Sequence, residues 1–275
     1  MAGTLYVVAT PLGNLGDLSP RAADTLKRVA VVAAEDTRHS KPLLTHAGSK
    51  AELVSFHAHS SERALERILR ILSEGRDVAL ITDAGTPAIS DPGVVLVAAA
   101  RERGIPIVTI PGPTAVAASL SVSGISGDRY LFLGFLPRKG SDRRRLLLTV
   151  AQCQWTVVIF ESPNRVTQLL ADLAEACGPE RQAVVSRELT KVFEETRAGT
   201  LQELSEHYAE APVRGEVTVV VAGTGKPHVE DRPPDPGARA KELLAEGLSR
   251  KDVAHRLAEE TGISRNAAYR LVSEL

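Results

Sequence analysis

Val78-Ala79-Leu80-Ile81-Thr82-Asp83-Ala84-Gly85-Thr86-Pro87-Ala88-Ile89-Ser90-Asp91-Pro92-Gly93 is the stretch whose reading decides the fold. An apolar run of strand length gives way to a loop rich in turn formers. The loop runs into a helix begun at Asp91-Pro92 and stopped at Gly104. That order is a strand-to-helix connection, and such a loop stands at the carboxyl edge of an α/β sheet, where ligands bind. Asp83 can orient a polar ligand group, while Gly85 and Pro87 impose an unusual backbone path that turns main-chain donors inward.

Working outward, Leu5 to Thr10, Val29 to Ala34 and Ile105 to Ile110 read as further strands. Between them, Ser19-Pro20 opens one helix. Leu65, Ile68, Leu69 and Leu72 recur at helical spacing in another, which ends at Gly75. Thr114 to Ser123 form a third before Gly124. The expected fold class is therefore α/β, with a largely parallel sheet in a first domain over residues 1–124. A second α/β domain over 125–223 repeats the grammar through Tyr130 to Leu133, Thr156 to Phe160, Ala183 to Val185 and Val217 to Ala222. Residues 224–237, with Pro227, Pro233, Pro234 and Pro236, read as a semi-rigid linker. A helical tail over 238–275 has helix-turn-helix spacing through Ala258, Gly262 and Ala268, with Arg265, Asn266 and Arg270 facing outward. Nucleic-acid contact and simple packing both remain open for that tail.

Composition bounds the function. The chain has 275 residues, 43% of them hydrophobic and 24% charged, with a net charge of −1. Such a balance excludes a disordered chain and a globally basic coat. The longest apolar run, Val94 to Ala100, is far short of the roughly 20 residues of a membrane span. Met1-Ala2-Gly3-Thr4 leads straight into a strand, so a cytoplasmic protein is expected. Cys153 and Cys177 are expected to be free thiols. No GxSxG, GxxxxGK[ST] or CxxC occurs, which removes the corresponding hydrolase, P-loop and redox chemistries. His57 and His59 lack further ligands nearby, so no metal is expected.

Several loops past strand ends carry the candidate chemistry. Thr10 to Asp17 contains Pro11, Gly13 and Asn14 but only two glycines, so a nicotinamide reading with Asp36 as the downstream acid is weak. Pro111-Gly112-Pro113-Thr114-Ala115 places a helix start beside the same edge. Glu35-Asp36-Thr37-Arg38, Glu161-Ser162-Pro163-Asn164-Arg165 and Arg187-Glu188-Leu189-Thr190-Lys191 each put acid and base together past a strand. Pro137 to Arg145 is the strongest basic cluster, with Arg138, Lys139, Arg143, Arg144 and Arg145 suited to phosphate.

Taken with Tyr6 to Ala22 and Gly134-Phe135-Leu136-Pro137-Arg138-Lys139, these motifs resemble the ribosomal RNA small subunit methyltransferase I family, the 16S rRNA cytidine-2′-O-methyltransferases of the tetrapyrrole methylase superfamily. The resemblance runs from about residue 4 to 223. It implies two α/β domains with a cleft between them that binds S-adenosyl-L-methionine, a homodimer, and 16S rRNA in the small ribosomal subunit as partner. Carried onto this chain, the cofactor-binding set is Pro11, Gly13, Asn14, Asp83, Ala84, Gly85, Ile89, Ser90, Thr114 and Ala115. The RNA-binding set is Arg38, Arg138, Lys139, Arg143, Arg144, Arg145, Arg165 and Arg187. A general base or a cation that stabilises an alkoxide should help a ribose hydroxyl react. Asp36, Glu161, Glu188 and Lys191 are the catalytic candidates, and the residues leave the choice among them open. The alternatives are a methylase of a corrin or porphyrin precursor and a ligand-sensing helix-turn-helix regulator.

Overall fold

The computed structural model describes residues 2–57, 61–210, 213–224, 236–261, 263–273 and 275. His59, most of the expected linker and the turn residue Gly262 lie outside the described residues. The chain divides into two compact units, Met1–Thr224 and Gly225–Leu275.

In the first unit, β1 (Leu5–Val8), β2 (Val31–Ala34), β3 (Glu52–Ser55), β4 (Val78–Ile81) and β5 (Ile107–Ile110) form one sheet in the order β3-β2-β4-β1-β5. Every pairing in it is parallel. Parallel strands covered on both faces read as unbroken apolar runs, and β2 and β4 are buried at every position. Helices α1 (Pro20–Arg28) and α2 (Thr37–Ala47) cover one face through Ala22, Leu26, Leu43 and Leu44. On the other face, α3 (Glu62–Ser73) and α4 (Val94–Glu102) pack through Ile68, Leu69, Leu72 and Leu96. The helices that follow β1 and β4 thus go to opposite faces, which opens a crevice outside the carboxyl ends of these neighbouring strands.

Local chemistry sets the helix starts. Ser19 Oγ accepts from the Ala22 N–H, with Pro20 in the first turn, as expected from Ser19-Pro20. Asp36 caps α2 by accepting from the Arg38 N–H. Thr114 stands at the cap of α5 (Ala115–Ser123) without a side-chain cap bond.

The second sheet departs from the expected parallel arrangement. It contains β6 (Tyr130–Phe135), β7 (Thr156–Glu161), β8 (Gln182–Arg187), β9 (Glu195–Thr200) and β10 (Val217–Val221), ordered β6-β7-β10-β8-β9. Only β6 and β7 run parallel; the three other pairings are antiparallel. Edge strand β9 has no apolar run, which is why its sequence does not announce it. Helices α6 (Ser141–Gln152), α7 (Val166–Cys177) and α8 (Leu201–Glu210) bury Val150, Leu169, Leu173 and Leu204 against Val157, Ile159 and Val219. The opposite face takes α5, whose Val116 and Leu120 pack on Val158, Val184 and Val220. The last helix of the first half therefore belongs structurally to the second sheet.

The second unit is α9 (Pro236–Ala245), α10 (Arg250–Thr261) and α11 (Arg265–Ser273) around Leu243, Val253, Leu257, Ala268 and Val272. Arg265, Asn266 and Arg270 are exposed, as their spacing suggests. Among the described residues no helix is long and apolar enough to cross a membrane. Because each unit has its own apolar cluster, a chain ended after Thr224 should keep one cooperative thermal transition by circular dichroism, within about 3 °C of the full chain. Loss of cooperative unfolding would show that the helical tail completes the larger unit.

Candidate active site

Two sheet edges face each other across a cleft of about 380 Å³. The first wall is the crevice outside β4 and β1, where the Thr10 N–H donates to the Gly85 carbonyl at 2.8 Å and the Gly85 N–H donates back at 3.1 Å. The second wall follows from register: Val217 at the start of β10 pairs with Glu161 at the end of β7 and with Arg187 at the end of β8. Both walls meet closely at Gly134, whose φ is +60° and where a Cβ would come within 2.7 Å of Ser90 Oγ. Gly85 has φ +82°, and a Cβ there would meet Leu12 at 3.3 Å. Ala88 and Ser90 also adopt positive φ, strain that marks this loop as built for more than a turn.

Of the expected cofactor set, Asp83, Ala84, Gly85, Ile89, Ser90, Thr114 and Ala115 line this cleft, joined by Phe135, Phe160 and Glu161 from the second sheet. Pro11 and Gly13 border a smaller adjoining hollow of about 160 Å³ that shares Leu12, Thr82 and Asp83 with the main cleft. Asn14 is engaged elsewhere. Its Oδ1 accepts from the Gly16 N–H, and its own N–H donates to Thr190 Oγ1 at 3.1 Å.

The four catalytic candidates separate. Asp36 accepts from both the backbone and the guanidinium of Arg38, and these bonds hold its carboxyl well below the usual carboxylate range. Glu161 is buried; one oxygen accepts from the Ser162 N–H, and Oε2 has no hydrogen bond. Arg165 Nη2 stands 3.2 Å from that oxygen as an ion contact. Glu188 and Lys191 pair with each other at 2.8 Å. The Lys191 side chain lies against Gly13, where a Cβ would displace it, so the loop after β8 reaches over the loop after β1. Glu188 (φ +50°) and Thr190 (φ +67°) give that loop its path.

Sequence reasoning missed Glu35 as an individual candidate, along with Asp91. Glu35 lies half-buried in the cleft. Thr82 Oγ1 donates to its Oε2 at 3.0 Å and also contacts Asp91 Oδ2. Burial first, then the Asp91 carboxylate, push the Glu35 carboxyl above its usual range. The available signal was Glu35 standing at the end of β2, one residue before the more conspicuous Asp36.

The basic residues divide as well. Arg138, Lys139, Arg144 and Arg145 are exposed, with Arg145 paired to Asp142. Arg143 is turned inward: only 7% exposed, it donates to Asp172 Oδ2 and to the Pro137 carbonyl. That geometry corrects its expected phosphate role, because the side chain is buried and three of its five N–H donors are already bonded within the protein. Arg165 is half-buried and donates to the Leu136 carbonyl at 2.8 Å. Arg187 pairs with Glu195, which also accepts from Tyr208, and Arg38 is exposed beside Asp36. No cluster suited to a metal ion occurs among the described residues.

The tetrapyrrole (corrin/porphyrin) methylase family matches residues 4–205. The chain is 43% identical to the ribosomal RNA small subunit methyltransferase I of Synechocystis sp., over 99% of this chain and 98% of that one. With the protein of the same name from Pseudomonas aeruginosa the identity is 45%, over 98% and 96%. A solved uroporphyrin-III C-methyltransferase from Thermus thermophilus, complexed with S-adenyl homocysteine, superposes with a TM-score of 0.59 at 20% identity, covering 79% of this chain and 96% of that one.

The division of the arginines has a direct consequence. Arg143→Ala leaves Asp172 largely buried and lacking its main partner, so it should lower unfolding stability in urea by about 2–3 kcal/mol. Arg144→Ala, which removes an exposed side chain, should stay within about 0.5 kcal/mol.

Proposed function

The chain belongs to the tetrapyrrole methylases and, within them, to the ribosomal RNA small subunit methyltransferase I proteins, and we propose that it methylates a cytidine of 16S rRNA on the ribose 2′-oxygen at the acid-lined cleft. It is an S-adenosyl-L-methionine-dependent rRNA methyltransferase. The observation that carries the reading is the meeting of full-length kinship with a cleft whose chemistry suits that cofactor. Bound there, S-adenosyl-L-methionine supplies a methyl group on a positively charged sulfur. Asp83, Asp91, Glu161 and Glu216 line the cleft, and such a carboxylate set favours a cation. The main chain at Asp83, Ala84 and Gly85, with Ile89, Ser90, Thr114 and Ala115, would hold the cofactor. Pro11, Gly13 and Asn14 would shape the loop beside it.

The chain's own groups have distinct tasks in this reading. Methyl transfer requires alignment, exclusion of water and a place for one proton. Phe135 and Phe160, with rings 5.7 Å apart, give the cleft an apolar wall that excludes water. Lys191, held by Glu188, supplies positive charge beside the loop after β1, where it can favour a developing alkoxide. Asp36 is a poor proton acceptor, since its bonds to Arg38 keep it ionised and weakly basic. RNA phosphates would follow Arg138, Lys139, Arg144 and Arg145, with Arg38, Arg165 and Arg187 nearer the cleft walls in supporting ion pairs. A homodimer and a cytoplasmic location belong to the same proposal, and the exposed Val94, Val95 and Val122 offer apolar surface for a second copy.

Mass spectrometry of nucleosides from 16S rRNA tests the reading. A deletion strain should lack one 2′-O-methylcytidine and regain it on complementation; a methyl found on a base atom would overturn the ribose assignment. Gly85→Val, which strains a positive-φ position and crowds Leu12, should weaken S-adenosyl-L-methionine binding in calorimetry at least tenfold, about 1.4 kcal/mol. Unchanged affinity in a folded variant would move the cofactor away from this loop. Replacing Arg138, Arg144 and Arg145 together by alanine should reduce the salt dependence of RNA binding by a slope of about 2, roughly 0.7 for each phosphate that is no longer neutralised.

A further inference from the structure

Glu35 and Asp91 reach the cleft from different elements, one at the end of β2 and the other ahead of α4, and they meet at one hydroxyl. Thr82 Oγ1 lies within hydrogen-bonding reach of Glu35 Oε2 and of Asp91 Oδ2. That hydroxyl has a single hydrogen, so it satisfies one carboxylate at a time. The other carboxylate is left facing its acidic neighbour, an arrangement that disfavours ionisation of one of the two without forbidding it. Asp91 is the more anchored partner, since its Oδ1 accepts from the Gly93 N–H at 2.9 Å. Glu35 is therefore the carboxyl left to exchange its proton with the cleft. The charges that act on it directly are acidic, Asp91 and Asp83. Asp83 lies next to it, bonded to the Asp36 N–H and in contact with His39, while Arg38 is committed to Asp36. Glu161 and Glu216 stand on the opposite wall. Glu161 is fully buried there, its Oε2 without a hydrogen bond and facing Arg165 Nη2 at 3.2 Å as an ion contact.

We propose that Glu35, set against Asp91 through the hydroxyl of Thr82, is the group that takes the proton from the ribose 2′-hydroxyl as that oxygen is methylated. The proton leaves the hydroxyl oxygen for a Glu35 carboxylate oxygen. The electron pair of the hydroxyl oxygen forms the new bond to the methyl carbon, whose bond to sulfur breaks with its electrons remaining on sulfur. Burial and the neighbouring acid raise the Glu35 carboxyl, so it becomes a better base than an ordinary carboxylate while still ionising as pH rises. Below its raised pKa Glu35 is protonated and cannot accept, so the rate should climb with pH through that value. The inference rests on the ribose-methylation reading and adds to it the identity of the proton acceptor.

The test combines titration with kinetics. Carbon-detected NMR of the glutamate carboxyls in the ligand-free protein should find Glu35 titrating above the ordinary range, and Asp91→Asn should bring that titration down. In single-turnover methylation of small-subunit RNA, Glu35→Gln should lose about 100-fold in rate, with cofactor and RNA affinities unchanged. Asp91→Asn should move the rise in the rate profile to lower pH. A Glu35→Gln variant with the wild-type rate would overturn the proposal, as would one that loses cofactor affinity, since Glu35 would then be a cofactor ligand. An ordinary Glu35 titration in the native protein would overturn it whether or not the variant folds. The wild-type product separates this failure from that of the parent reading. A base-methylated nucleoside ends both, whereas a ribose-methylated one with an indifferent Glu35→Gln ends only this inference.

Discussion

The packing of α5 on the second sheet is the constraint on which the site depends. This helix begins at Thr114-Ala115 on the cleft wall and buries Val116 and Leu120 against Val158, Val184 and Val220. One short helix, connected to the first sheet through Pro111-Gly112-Pro113, therefore sets where the edge of the second sheet stands. The interface is apolar and tightly covered, so the two walls cannot slide independently without uncovering valines. Ser119, fully buried on α5 with its hydroxyl unpaired, is a polar cost carried within that interface.

A second tie runs the opposite way. The loop after β8 leans Lys191 over Gly13 and receives the Asn14 N–H on Thr190 Oγ1. Glu188 and Thr190 hold positive φ to make that reach, and Gly134 does the same where β6 approaches Ser90. Strain therefore gathers where the halves meet and is sparse within the sheets. This is the pattern expected when backbone conformation is constrained by a site.

Electrostatics divides the surface into two regions. The cleft concentrates carboxylates, which suits a cationic donor and disfavours phosphate, whereas the exposed cations gather on Arg138 to Arg145 at the start of α6. A polyanion held on the second region would have to present one sugar to the first. Under the proposed function, regions of opposite sign would keep the donor and the nucleic acid from competing for the same ground. The small net charge of the whole chain conceals this division, because it sums two regions that never cancel locally.

Fold class, the strand-end loops and the long turn-rich loop from Asp83 to Ser90 were legible because they are local. Buried parallel strands are continuous apolar runs, and helices declare themselves through Ser19-Pro20 or through the spacing of Ile68, Leu69 and Leu72. The acids and bases past the strands were legible as residues, yet their roles were not. Nothing in Arg138 to Arg145 distinguishes Arg143, whose partner Asp172 lies on another helix, from its exposed neighbours. Nothing near Glu35 announces Asp91, which becomes its neighbour only when β2 and β4 pair. The antiparallel half of the second sheet was also hidden, because Val217 to Val221 reads the same in either direction and strand direction is decided by pairing with β7 and β8. The sequence by itself determined which segments are strands and helices and which chemistry stands at their ends. Tertiary structure alone decided which of those groups meet, since such contacts span many residues along the chain and depend on the packing of whole elements.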